Sequence, residues 1–309
     1  QLENEDADGV LPSIEFLKAF NQEGKQLAKG HVGVVGGGNS AVDAARNALR
    51  QDAVDKVTIL YRRTRGEMPA FEEEIEAAIQ EGIDIKLLTT PVKVNVQDGR
   101  LTSLECVQNK VGKMDDSGRR RPVEIPNSNF TIDLDTLIVA ISEQPDVNSI
   151  SPDAEGGLEI TKWNTIQVDE NTLSSNRSGV FAGGDVVTGP NTVIAAIAAG
   201  KRVANMIDRY ILGEELRQVE KPRLPNKYIE PCSVTEEEMS ALERIDLPRV
   251  PVNRRSKSFI EVERAMSEAD AEHEALRCLR CDLEFTKKMP VEINIQQPEA
   301  SVTAGIQND

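Results

Sequence analysis

Three consecutive glycines, Gly36, Gly37 and Gly38, run into Asn39, Ser40 and Ala41, giving the spacing G-x-G-x-x-A. That pattern binds a dinucleotide pyrophosphate when it follows a strand directly and opens a helix directly. Gly36 permits the tight turn, Gly38 leaves room for the pyrophosphate to approach the backbone, and Ala41 lets helix and strand pack closely. The helix-end N–H groups, beginning with Asn39 and Ser40, receive the phosphate charge. Roughly 20 residues on, where a carboxylate would hold the ribose hydroxyls of NADH, stand Tyr61, Arg62, Arg63, Thr64 and Arg65. A carboxylate repels a ribose 2′-phosphate, whereas a guanidinium bonds it, often in a bidentate manner. Arg62 and Arg63 therefore point to NADPH over NADH. The plain alternatives are a ligand-free glycine turn and a solvent-facing basic turn.

Other chemistry-bearing residues are sparse. Cys278 and Cys281 form one C-x-x-C, an incomplete site because a structural zinc or an iron-sulfur cluster takes four ligands as a rule. Cys232 is a candidate third ligand, and two unligated cysteines are the competing reading. His31 starts a strand and His273 sits in an acidic helix, which suits structural or surface roles. No Tyr-x-x-x-Lys pair, His-acid pair or complete metal site suggests a simple dehydrogenase, and no catalytic side chain is assigned. Glu72, Glu73, Glu74 and Glu76 read as a solvated helix face. Arg119, Arg120 and Arg121 read as an exposed hairpin tip, with docking of an acidic carrier as the alternative.

These residues need elements to hold them. Residues 31–35 are a compact apolar run, 39–50 an alanine-rich helix, and 56–61 a β-branched strand, together a βαβ unit. A second helix over 67–80, burying Phe71, Ile75, Ala78 and Ile79, and a strand over 83–88 repeat it. A short amphipathic helix over 11–20, with Ile14, Leu17 and Phe20 at helical spacing, precedes both. Alternating stretches between 92 and 133, joined at Asp98-Gly99 and Asp116-Ser117-Gly118, read as a β-meander inserted before a strand over 136–141. Then come a buried strand over 179–182, a tight turn at Gly183-Gly184-Asp185 and a long helix over 191–212. Pro222, Pro225, Pro231, Pro248 and Pro251 punctuate the tail, with helices expected near 236–244 and 259–279.

A chain of 309 residues with 39% hydrophobic and 28% charged residues is long enough for two domains with real cores. A net charge of −16 opposes binding to nucleic acid or anionic membrane. Four cysteines do not make a disulfide framework, and a reducing, cytoplasmic setting follows. The apolar stretch around 193–199 is too short to cross a bilayer. The opening Gln1 in an acidic run, in place of a methionine, suggests a processed or cut chain rather than a signal peptide.

In combination and order, several segments resemble the glutamate synthase small (beta) subunit and its flavoprotein relatives in the pyridine nucleotide-disulfide oxidoreductase superfamily. They are Gly9-Val-Leu-Pro12, Phe16-Leu17, residues 35–46, Tyr61-Arg62-Arg63, Met68-Pro69-Ala70, Glu81-Gly82 and residues 179–185. The resemblance implies an α/β architecture of two dinucleotide-binding domains, in which a Rossmann-like NADP domain is inserted into a split FAD domain. The implied division is a linker and leading helix (1–28), the NAD(P)-binding domain with its meander (29–145), a C-terminal part of the FAD domain (146–216) and the tail (217–309). Gly184 and Asp185 are then expected to meet the flavin's ribitol, and Thr192 and Val193, at a helix start, its ring. The first FAD motif is expected before Gln1 or on a partner chain, since no second G-x-G-x-x-G follows an N-terminal strand here. Where relatives carry Gly-Gln, this chain has Ser142-Glu143, with Pro145 retained. A nicotinamide domain offering only Cys106 argues against a thioredoxin-reductase reaction. The implied activity passes hydride from NADPH to FAD and electrons on through iron-sulfur centres to a subunit or carrier. The competing class is a noncatalytic NADP(H)-binding or scaffolding fragment. Acceptor, direction of flow, bifurcation and oligomeric state are not encoded legibly.

Overall fold

The computed structural model describes residues 2–115, 118–141, 145–147, 150, 157–217, 228–284 and 286. Ser142 and Glu143, part of the second hairpin signal (Asp116, Ser117), and the tail prolines Pro222 and Pro225 lie outside the described residues. The chain divides into two compact units, residues 1–219 with 247–265, and residues 220–246 with 266–309. The proline-punctuated tail is thus shared between them.

In the first unit, β1 (Val10–Pro12) leads into α1 (Ser13–Glu23), then β2 (Gly30–Val35), α2 (Asn39–Leu49), β3 (Val54–Leu60), α3 (Glu72–Gln80) and β4 (Asp84–Lys86). The meander follows as β5 (Thr89–Gln97), β6 (Arg100–Met114), β7 (Arg120–Glu124) and β8 (Phe130–Asp133), and β9 (Thr136–Val139) returns to the first sheet. That sheet is parallel throughout, in the order β1-β9-β2-β3-β4. The meander forms an antiparallel sheet, β5-β6-β7, with β8 also on β6. The turn expected at Asp98-Gly99 joins β5 to β6 with both residues at positive φ.

Strand alternation decides the layers. Val32, Val34, Val57, Ile59 and Ile138 face the helices, packing with Phe16, Ala41, Val42, Ala45 and Ile75. Val35, Leu60, Leu137 and Val139 face the opposite way, packing with Val94, Leu101 and Leu104 of the meander. The inserted meander is therefore the second cover of a sheet that must be buried on both faces.

Four boundaries differ from the sequence expectation for local reasons. The first helix begins at Ser13, not at residue 11, because residues 10–12 pair with β9; Phe16 is its buried anchor and Ile14 is 55% exposed. The second crossover helix begins at Glu72, not at residue 67, because Met68 precedes Pro69 and takes an extended backbone. Phe71 thus precedes the helix and is 61% exposed, Ile79 is 39% exposed, and Ile75 and Ala78 are buried. Residues 179–182 contribute one bridge, Ser174 to Phe181, rather than a strand, although Ala182 is buried. Phe259 belongs to no helix.

After β9, the first unit continues with α4 (Asp185–Thr188) and α5 (Val193–Ile211). A small core of Val147, Leu158, Ile166 and Ala182 lies in this segment. The second unit holds α6 (Glu236–Ala241). The chain then returns to the first unit through α7 (Val252–Arg255), and the second unit resumes with α8 (Glu268–Leu276).

Residues 247–265 are fastened to the first unit. The Phe259 ring stacks on Phe20 at 4.1 Å, and Arg50 Nε donates to the Ser258 carbonyl at 3.1 Å. Beneath them the fully buried Glu81 carboxylate pairs with Arg46 (2.8 Å), Arg50 (2.9 Å) and Arg255 (3.3 Å). Burial pushes the Glu81 pKa up, but the hydrogen bonds and charges of Arg46 and Arg50 outweigh it and hold the group below the ordinary glutamate value. A folded-state pKa below the unfolded one stabilises the fold above the unfolded value of about 4.3, and this contribution disappears as pH falls through the lowered folded value. Glu81→Gln should lower stability at pH 7 by about 3 kcal/mol, since Arg50 and Arg255 lose this buried counter-charge and Arg46 is left with Glu74. Urea unfolding checks this. An unchanged midpoint, or an equal loss for wild type and variant on acidification, would refute the assignment.

Candidate nucleotide site

β9 lies on one side of β2 and β3 on the other, so the chain's connections diverge at the C-terminal end of β2. In open α/β sheets such a divergence opens a ligand crevice. The glycine loop stands there. Gly36 N–H donates to the Leu60 carbonyl at 3.1 Å, and Ala140 N–H donates to the Val35 carbonyl at 2.8 Å. Gly36 has φ +147°, and a Cβ on it would lie 2.5 Å from the Ala140 oxygen and 3.1 Å from the Ala41 Cβ. Ala41 is fully buried. The turn and the close helix-strand contact predicted for these two residues are both present.

Gly38 behaves differently. A Cβ there would meet nothing nearer than Pro69 Cγ at 3.9 Å, so the space beside it is open. Gly38 is the N-cap of the 11-residue α2, and no side chain caps that helix. Its first-turn N–H groups, on residues that include Asn39 and Ser40, are available to an anion. Asn39 uses its side-chain oxygen to accept from Phe71 N–H at 3.0 Å, which ties the loop to the start of α3. The open cradle and uncapped helix fit a dinucleotide pyrophosphate.

Tyr61 forms the floor. Its ring lies where a Cβ on Gly37 would come within 2.5 Å, and its hydroxyl donates to the Glu67 carbonyl at 2.6 Å. Burial raises its pKa, and the charges of Arg119, Arg63 and Arg62 work against that rise.

The two arginines nominated from the sequence occupy different environments. Arg62 is exposed and makes no ion pair among the described residues. Arg63 is buried, its Nη2 bonded to Asp115 Oδ2 at 2.7 Å, while its Nη1 is buried without a hydrogen-bond partner among the described residues. Arg65 pairs with Glu72 and Glu76. Arg120, from β7, pairs with Glu67 and donates to Thr64 Oγ1 at 3.2 Å. Sequence reasoning read Arg119 and Arg120, with Arg121, as an exposed hairpin tip, and they are exposed. Their nearness to β3 depends on Asp115, 52 positions from Arg63, and no local pattern signals such a pairing.

The second nominated group lies beyond β9. Gly184, at φ +77°, precedes exposed Asp185, the first residue of α4. Thr192 is the N-cap of α5, its Oγ1 accepting from Ala195 N–H at 3.2 Å, and Val193 is 74% exposed. A Cβ on Gly183 would lie 3.1 Å from both Ala199 and Val203, so glycine permits the segment to pack on α5. An exposed carboxylate and an exposed helix start suit one side of a flavin site.

Cys278 and Cys281 are exposed, as is Cys232, and no group of three potential metal ligands occurs among the described residues. This donor set does not fit a complete cluster. Cys106 is fully buried, and burial pushes its thiol pKa up to about 12, which leaves it protonated and unreactive. His31 bonds the Thr58 hydroxyl at 3.0 Å and His273 the Glu243 carbonyl at 3.1 Å, both structural placements. Among the described residues no helix is long and apolar enough to cross a membrane.

The chain is 37% identical over 285 residues to the NADP(+)-dependent formate dehydrogenase subunit beta of Moorella thermoacetica, covering 90% of this chain and 40% of that protein. It is 35% identical over 297 residues to the NADPH-Fe(3+) oxidoreductase subunit beta of Geobacter sulfurreducens, covering 87% and 44%. It is 36% identical over 196 residues to the glutamate synthase [NADPH] small chain of Azospirillum brasilense, covering 63% and 40%. The chain thus spans less than half the length of these relatives. Mycobacterium tuberculosis FprA in complex with NADPH shares the fold, with a TM-score of 0.53 at 15% identity over 69% of this chain and 61% of that one. With residues 4–200 matching its sequence pattern and the glycine loop built as that fold requires, the chain belongs to the pyridine nucleotide-disulphide oxidoreductase family.

Proposed function

We propose that this chain is the NADPH-binding portion, with the closing flavin-binding segment, of an electron-input oxidoreductase. The supporting observation is the pairing of an open cradle at Gly38 with an exposed Arg62, in no ion pair among the described residues, at the end of the adjoining strand. α2 and the loop backbone hold the pyrophosphate, and Arg62 holds the 2′-phosphate that distinguishes NADPH. Arg63, engaged with Asp115, shapes the turn beside it. Gly184, Asp185, Thr192 and Val193 hold part of FAD, which when bound exchanges electron pairs with NADPH and releases electrons onward. The names of the relatives, as oxidoreductase subunits, favour this over a noncatalytic scaffold.

The whole protein has further parts in this proposal. Of the 19 residues of α5 only Met206 is buried, while Val193 and Ile194 are 74% and 75% exposed. Such an apolar helix face calls for cover, and we assign that cover to the first FAD segment, in the remainder of the protein or on a partner chain. Cys278 and Cys281 contribute to an iron-sulfur site only with ligands from those same parts. The acceptor is a partner subunit or carrier in a cytoplasmic setting.

Three measurements test the proposal. In anaerobic visible spectra of the purified protein, a flavin band should bleach faster with NADPH than with NADH. If flavin copurifies but neither nucleotide bleaches it, the electron-input role fails. Arg62→Ala should weaken NADPH binding by about tenfold, the worth of one charge-assisted contact, and leave NADH binding unchanged; calorimetric titration with each nucleotide reads the difference. Gly36→Ala and Gly38→Ala should separate folding from binding. The first should lower thermal stability through its contact with the Ala140 oxygen, whereas the second should keep the wild-type melting temperature and lose nucleotide affinity. Equal effects of the two substitutions on both readouts would contradict these roles.

A further inference from the structure

Taking the NADPH site of the proposed function as given, we infer that the β6–β7 hairpin completes it: Arg119 contacts the 2′-phosphate together with Arg62, and Asp115 is the positioning residue that fixes the hairpin to β3. The inserted meander then has a task besides covering the sheet. It supplies one wall of the cofactor-selecting pocket.

Three attachments bring the hairpin to the end of β3. Asp115 Oδ2 accepts from Arg63 Nη2 at 2.7 Å, in a contact almost removed from solvent. On the other limb, Arg120 pairs with Glu67 and donates to Thr64 Oγ1 at 3.2 Å, engaging the capping box that shapes the turn after Arg63. Asn109, earlier in β6, donates through Nδ2 to the Arg62 carbonyl at 2.9 Å, so the hairpin also orients the backbone of the residue nominated to bind phosphate.

Within the hairpin, Asp115 organises the turn as well. Its N–H donates to the Arg119 carbonyl at 2.8 Å, and its Oδ1 accepts from Arg119 N–H at 3.2 Å. One carboxylate therefore ties Arg63, on β3's side, to the backbone of Arg119. Arg119 itself is exposed, and of the three arginines whose charge opposes the raised pKa of Tyr61 it exerts the largest effect. Tyr61 is the floor under Gly37, and the hairpin that carries Arg119 is fastened to the residues that follow it, Arg62, Arg63 and Thr64.

Among the described residues, Arg63 and Arg120 pair with Asp115 and Glu67, and Arg65 with Glu72 and Glu76, while Arg62 joins no ion pair and can meet a phosphate carrying between one and two negative charges. Arg63 Nη1 is buried without a hydrogen-bond partner among the described residues, so Asp115 satisfies this guanidinium only in part. NADH, lacking the 2′-phosphate, gains nothing from the arrangement.

Calorimetric titration of the full chain with NADPH, NADH and 2′-AMP tests the inference, 2′-AMP probing the ribose phosphate without the pyrophosphate loop. Arg119→Ala should weaken NADPH and 2′-AMP about tenfold each and leave NADH unchanged, with Arg119→Lys recovering part of the loss. Asp115→Asn should give the same selectivity loss with Arg119 intact. Arg121→Ala, a neighbouring exposed residue, should change nothing. If Arg62→Ala abolishes the NADPH preference while Arg119→Ala and Asp115→Asn bind as wild type, the hairpin role is overturned and the nucleotide site stands. A wild-type chain that binds NADPH and NADH equally overturns both. Unchanged circular dichroism in the Arg119 variants confirms that a loss is not hairpin unfolding.

Discussion

Gly36 sits where β2, β9 and α2 converge, and no side chain can occupy that point. Its N–H is engaged with Leu60, and the Ala140 carbonyl passes within 2.5 Å of where a Cβ would be. That close approach lets β9 lie beside β2 as β2 gives way to the helix. It also aims the start of α2 at the crevice between diverging connections. The alanines on α2, the parallel sheet and the open cradle at Gly38 all presuppose it.

Charge is used in two contrasting ways around this frame. Glu81 is surrounded by three arginines and joins α2 and the returning segment 247–265. Near β3, Arg63, Arg65 and Arg120 are paired with carboxylates, and among the described residues Arg62 joins no ion pair. An acidic protein with a net charge of −16 thus keeps an exposed guanidinium where its proposed anionic ligand would sit.

The loop was legible because each of its positions is constrained by neighbours close in sequence. A glycine that must avoid a carbonyl, an alanine that must meet a strand and an uncapped helix start leave a local signature. The environments of Arg62 and Arg63 were not legible, because adjacent residues with identical chemistry diverge only through Asp115, far along the chain. Phe259 was read as helical for the same reason. Its identity is explained by Phe20, with which it stacks, and not by its sequence neighbours. Phe71 looked like a core residue by periodicity, but Pro69 delayed the helix and left Phe71 exposed before its first turn.

The position of β9 has a consequence for how the chain acquires its structure. The strand hydrogen-bonds β1 on one side and β2 on the other, pairing Val10 with Leu137 and Val32 with Thr136. Both early strands must wait, during synthesis, for a segment more than a hundred residues downstream. Non-local pairing of this kind slows folding, and β2 presents an open edge in the interval, a state prone to association with other chains. The meander, made of hairpins with local contacts, can form before β9 arrives and deliver it to the gap. On this view the same insertion that borders the nucleotide site also sets the order in which the central sheet closes.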